Sequence, residues 1–166
     1  MNRYVVDTNV PIVANGVAGP DHARLPSISC RIRAVDFLRR LLGAGTILLD
    51  LEGLIQQEYR RHLSPRGQPG VGDRFYREVL NSAPNRVQRV HLPRRPDGEY
   101  VDLPQSLIDK DFDPSDRKFA ALARREKVPV VNATDSDWLD HARTLADEGI
   151  LVENLCGSNR EHWFGN

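Results

Sequence analysis

The chain has 166 residues, 40% of them hydrophobic, a length and composition that suit one compact domain with an ordinary core. Its 23 basic and 23 acidic residues cancel, so no global charge marks a nucleic-acid binder. No apolar run approaches the roughly 20 residues that span a bilayer, and no basic stretch leads into an apolar one as in a secretory signal, so no membrane association and a cytoplasmic location are expected.

The first predicted strand, Tyr4–Val6, is β-branched and stops at Asp7, Thr8 and Asn9. Thr8 or Asn9 can cap a short helix with Pro11 near its start. Residues 15–29 are rich in Gly, Pro, Ser and Asn and read as a loop. Ser29 can cap a helix over about 30–43, where Ala34, Leu38 and Leu41 fall at helical spacing. Ile47–Leu49 is a fully apolar strand, and Asp50 can cap a helix over about 51–63. A Gly/Pro loop covers 64–72 and a helix about 73–82. Val87–Leu92 reads as a strand, while 93–112 carries no clear periodicity. A helix over 114–127, a strand at 128–131, a helix at 136–148 and a strand at 150–152 complete the series. Alternating strands and helices predict an α/β fold with a mostly parallel sheet covered on both faces. In such sheets ligands sit at the carboxyl ends of the strands. Asp7 and Asp135 both follow strands at that end.

Charge is segregated along the chain. Residues 60–95 carry nine arginines against Asp73 and Glu78, and residues 97–153 carry fourteen acids against seven bases. An arginine-rich insertion at about 64–112 is expected to form an RNA-guiding or a partner-docking surface, with Arg66, Arg74, Arg77, Arg94 and Arg95 to bind phosphates; Phe75 and Tyr76 are candidates to stack bases, with burial in a local helix expected for at least one of them. The two cysteines, Cys30 and Cys156, lie far apart and are read as buried free thiols. The five histidines show no zinc spacing and are read as surface or satisfied polar residues.

Three acids stand where an ordinary amphipathic helix would not place them. In LEGLIQQEYRRHL, Glu58 shares a stripe with Leu51, Leu54, Ile55, Tyr59 and His62, away from the polar face. A carboxylate aimed inward requires compensation, by an arginine partner or a metal ion. In DPSDRKFAALARREK, Asp116 shares a stripe with Phe119, Ala120 and Ala123, although Asp113 as N-cap gives Asp116 a capping reading as well. In NATDSDWLD, Asp135 or Ser136 can cap a helix with Asp137 in its first turn. Asp7, Glu58, Asp116 and Asp135 thus converge from four elements. Carboxylates packed together repel one another, and a hard dication such as Mg²⁺ or Mn²⁺ resolves the repulsion. A metal held by carboxylates suits phosphodiester hydrolysis.

At these residues the sequence resembles the PIN-domain nucleases. The strand leading into Asp7-Thr8-Asn9, Glu58 within Gln57-Glu58-Tyr59-Arg60, Asp116 before the alanine-rich helix, and Asp135-Ser136-Asp137-Trp138 are similar to that family's four motifs in order. The resemblance implies a three-layer α/β/α fold with strand order 3-2-1-4-5. It implies one or two Mg²⁺ or Mn²⁺ ions held by Asp7, Glu58, Asp116 and Asp135 with help from Asp137. Thr8 or Asn9 would orient Asp7, and Asp113 would replace or support Asp116. It further implies cleavage of single-stranded RNA, often as the toxin of a toxin–antitoxin pair, and a homodimer. A DNA or flap nuclease and a non-cleaving RNA- or partner-binding protein are the alternatives. A haloacid dehalogenase-type phosphatase is set aside, because it needs a second Asp where Asn9 stands.

Overall fold

In the computed structural model, which describes residues 2–20, 22–81 and 84–165, five strands form one parallel sheet of order β3-β2-β1-β4-β5. The strands are β1 (Arg3–Val6), β2 (Thr46–Asp50), β3 (Val87–Val90), β4 (Val130–Asn132) and β5 (Val152–Asn154). Val5 lies opposite Val130 and Tyr4 opposite Ile47, so β1 is central. Its residues Val5 and Val6 are fully buried, as are Ile47–Leu49 of β2 and Val130–Val131 of β4. Such continuous β-branched and apolar runs are what a sheet covered on both faces requires.

Helices α1 (Asn9–Ala14), α2 (Ile28–Ala44) and α4 (Val71–Asn81) pack on one another over one face. Gly72 permits this approach: a Cβ there would stand 2.0 Å from the Pro11 carbonyl oxygen. Helix α6 (Arg117–Glu126) lies across β1 and β2, on the other face as right-handed crossovers dictate. Its row Phe119–Leu122 is fully buried, and the small Ala120 and Ala121 let it approach the sheet. Helix α3 (Leu54–His62) bridges β2 to α6, and α5 (Gln105–Asp109) meets α8 (Ala142–Asp147), which follows the single turn of α7 (Asp137–Asp140).

Several boundaries differ from the sequence reading for local reasons. Ser27, not Ser29, caps α2, its hydroxyl accepting from the Cys30 N–H at 3.2 Å. Helix α3 begins three residues late because Gly53 sits at φ 82; Leu51, expected on the buried stripe, is 59% exposed in the preceding turn. Asp50 still caps that helix, its two carboxylate oxygens accepting from the N–H groups of Leu54 (2.7 Å) and Ile55 (2.9 Å). The expected helix over 136–148 is broken at His141 into α7 and α8. The arginine-rich segment 64–112 supplies α4, the edge strand β3 and α5. The cysteines are not free thiols: Cys30 and Cys156 form a disulfide, with Cα atoms 4.9 Å apart. The start of α2 and the chain beyond β5 meet there, a proximity that a sequence separation of 126 conceals. Among the described residues no helix is long and apolar enough to cross a membrane.

Candidate metal centre

Strand β1 delivers Asp7 to the carboxyl edge of the sheet at its middle. The side chain is 3% exposed and both oxygens are engaged. Oδ1 accepts from the Asn9 backbone N–H (2.9 Å) and from Asn9 Nδ2 (2.6 Å), and Oδ2 accepts from the Trp138 indole N–H (2.6 Å). Asp116 arrives from the turn at the head of α6, occupying its N-cap position, and is 5% exposed. Asp135 follows β4. Carboxylate oxygens of Asp7, Asp116 and Asp135 all lie within 4.8 Å of one another. They line a cleft of about 490 Å³ that also takes in Glu58, Arg61, His62, His22 and Thr134.

Burial and mutual repulsion make this trio unstable in its fully ionised form. Burial, reinforced by the charges of Asp135 and Glu58, pushes the Asp7 carboxyl up to about 7, against the pull of its Asn9 and Trp138 bonds. Burial, then the charges of Asp7 and Asp135, pushes Asp116 up to about 10. Two buried carboxyls driven this far, with a third beside them, form a donor set that a hard dication would relieve. All the donors are oxygens, which favours Mg²⁺ or Mn²⁺ over zinc. The residues therefore fit the cation that the sequence suggested.

The remaining predicted residues take different places. Glu58 lines the cleft but stands outside the close trio, with Oε1 accepting from the Thr8 hydroxyl at 2.6 Å and Oε2 ion-paired to Lys118. The cationic partner of the inward Glu58 is thus a lysine, Lys118, where the sequence reading offers an arginine or a metal ion. Of the two candidates for orienting Asp7, Asn9 does so and Thr8 holds Glu58 instead. Asp137 also lies outside the trio: Oδ2 accepts from the Asp113 N–H (2.9 Å) and Oδ1 faces His141 Nδ1 at 3.1 Å. Asp113 Oδ1 accepts from the N–H and hydroxyl of Ser115, both at 2.7 Å, which shapes the turn that presents Asp116.

None of the five predicted arginines lines the cleft. Arg66, Arg74 and Arg77 are exposed elsewhere. Arg94 lies 4.5 Å over the Tyr100 ring, and Arg95 pairs with Asp97. Phe75 and Tyr76 are 0% and 2% exposed, so neither offers a face for stacking bases; both belong to the core. The basic rim comes from the end of α3, through Arg61 and His62.

Sequence reasoning missed three contributors. Asn132 is buried between strand ends and joins them: its Oδ1 accepts from Asn9 Nδ2 (3.0 Å) and the Asp135 N–H (3.1 Å), and its Nδ2 donates to the Asp135 carbonyl (2.9 Å). Asn9 extends this network, its Oδ1 accepting from the N–H groups of Ala133 (2.7 Å) and Thr134 (3.1 Å). An amide ending a buried strand was the available signal for Asn132. Tyr59 donates to the Val6 carbonyl at 2.5 Å, fixing α3 to the strand that carries Asp7. Lys118 gave no signal beyond sitting two residues after Asp116 on a helix face otherwise apolar.

No protein-family model matches this chain, and no curated protein does. Among solved structures, a chain in the crystal structure of VapBC2 from Rickettsia felis, bound to a DNA fragment from their promoter, is similar in architecture. The TM-score is 0.52 at 16% identity, over 92% of this chain and 98% of that one. The likeness is one of fold.

Proposed function

We propose that this protein is a divalent-metal-dependent endonuclease that hydrolyses phosphodiester bonds in single-stranded RNA. The observation that carries the reading is the trio of the buried Asp7 and Asp116 and the half-buried Asp135 at the carboxyl edge of a parallel sheet, its oxygens within 4.8 Å of one another. Asp7, Asp116 and Asp135 would hold the cation. When bound, a hard dication lowers the pKa of a coordinated water and neutralises charge that develops on phosphate oxygens.

The chain's own groups prepare this chemistry. Asn9 and Trp138 fix both oxygens of Asp7, so the carboxylate meets its ligand already oriented. Asn132 ties the loop of Asp135 to that of Asp7 through Asn9. Arg61 and His62 at the cleft mouth receive backbone phosphates on either side of the reacting one. The exposed Arg66, Arg74 and Arg77 lie outside the cleft and act at longer range, as a field that favours a polyanion's approach.

The four-motif resemblance and the shared architecture extend the proposal to biology. An enzyme that cuts RNA without stringent structural demands needs an inhibitor, and we assign this chain an antitoxin-like protein partner and a homodimeric state. The test is incubation of purified protein with labelled single-stranded RNA and, in parallel, single-stranded DNA, with Mg²⁺ or Mn²⁺. Cleavage of RNA that is abolished by EDTA and by Asp7→Asn is expected. Full cleavage by Asp7→Asn would overturn the assignment, and cleavage of DNA alone would move the substrate.

A further inference from the structure

Glu58 and Lys118 lie side by side in the cleft wall, and their pairing divides the four acids three to one. The Lys118 side chain is 11% exposed and that of Glu58 19%. Lys118 Nζ donates to Glu58 Oε2 and to the Ser115 carbonyl, and stands 4.7 Å from the Phe119 ring centroid. The other Glu58 oxygen is taken by the Thr8 hydroxyl at 2.6 Å. Both oxygens therefore have partners. For Glu58 to ligate a cation at Asp7, Asp116 and Asp135 it must move in from outside the trio, and that shift pulls it away from the ammonium. A mostly buried ammonium without its counter-charge carries a heavy desolvation penalty.

Charge counting points the same way. Four free carboxylates would bring four negative charges, matched by two dications. Here Lys118 cancels Glu58, and the trio with one dication keeps a single negative charge. A second dication would meet little attraction and would have to displace an ammonium from its carboxylate.

Resting on the metal-centre reading above, we propose that the Lys118 ammonium takes the electrostatic place of a second cation. The centre then holds one dication, and Glu58 is a positioning residue for Lys118 rather than a metal ligand. The positive charge on this wall of the cleft, just behind Glu58 and Ser115, is built into the chain and does not depend on metal concentration.

Mn²⁺ titration of the full chain tests this, followed by electron paramagnetic resonance and calorimetry and needing no catalysis. Wild type is expected to bind one equivalent. Glu58→Gln keeps the one equivalent with an affinity loss well under about tenfold, and Lys118→Arg, which preserves the charge, keeps both number and affinity. Lys118→Gln frees the Glu58 carboxylate and tightens Mn²⁺ binding about tenfold or admits a second equivalent. Asp116→Asn weakens the one site by about tenfold or more. Two equivalents in wild type, or a loss of about tenfold or more in Glu58→Gln, overturns the role of Lys118 and leaves the metal centre standing. Unchanged binding in Lys118→Gln with native circular dichroism overturns it too. No Mn²⁺ binding by wild type removes the metal centre itself, and the two failures are thereby distinct.

Discussion

Replacing Asp116 by Asn is expected to stabilise the metal-free protein while weakening its site. Asp116 is 5% exposed and its carboxyl is pushed from 3.8 up to about 10 by burial and by the neighbouring Asp7 and Asp135. Between these values the folded chain keeps a proton that the unfolded chain has released. Stability therefore falls as pH rises from about 4 towards 10. At pH 7 the difference accumulated since 3.8 is about 3 pH units, or about 4 kcal/mol as an upper bound. Asp7, Asp116 and Asp135 share this repulsion, so one substitution recovers part of it, about 1–3 kcal/mol. For a chain of this length that is roughly 3–10 °C in Tm. The assay is thermal unfolding in EDTA at pH 5, 7 and 8. Wild type should lose stability across the series and Asp116→Asn should lose less, crossing above wild type by pH 7. Mg²⁺ or Mn²⁺ should raise the wild-type Tm and raise that of the variant less. A wild-type stability flat in pH, together with a variant less stable than wild type at pH 8, would refute the claim that these carboxylates are crowded and uncompensated.

Trp138→Phe keeps the aromatic packing but removes the donor 2.6 Å from Asp7 Oδ2, one of the two bonds that pull the Asp7 carboxyl down. Mn²⁺ affinity should fall about tenfold, and the acid limb of the pH–rate profile should move to higher pH. Asn9→Ala strips an acceptor from the N–H groups of Ala133 and Thr134 and an orienting donor from Asp7; urea unfolding should show a loss of about 2–4 kcal/mol, with RNA cleavage lost as well. Tyr59→Phe deletes the bond to the Val6 carbonyl and should cost about 1 kcal/mol. Reducing the Cys30–Cys156 disulfide should lower stability by about 2–5 kcal/mol, read as a drop in Tm on adding a dithiol.

The sheet was legible because its strands are short and apolar, and their order came with the motif resemblance rather than with any periodicity. Asp7 and Asp135 could be placed at one rim from strand ends alone, and the alanines of α6 gave the close approach that brings in Asp116. Partner identity was not legible. Periodicity placed Glu58 inward but could not say that Lys118, on a helix sixty residues away, would meet it. The arginines illustrate the opposite failure: clustering in sequence did not become a cleft lining, because Arg86 donates to the Leu42 carbonyl of α2, Arg89 to the Gln56 side-chain carbonyl of α3, and Arg94 and Arg95 to the Gly98 carbonyl and Asp97 carboxylate in the loop after β3. Phe75 and Tyr76 went to the core because the helix carrying them packs against α1 and α2. The disulfide was hidden by the same non-local closure that builds the fold, two segments meeting only after the last strand is laid down.

Diffraction from a crystal soaked in Mn²⁺, recorded near the manganese absorption edge, addresses the metal centre most directly. An anomalous peak within coordination distance of Asp7, Asp116 and Asp135 is the expected result. A structure in which manganese settles elsewhere and those three carboxylates stay bare would contradict it.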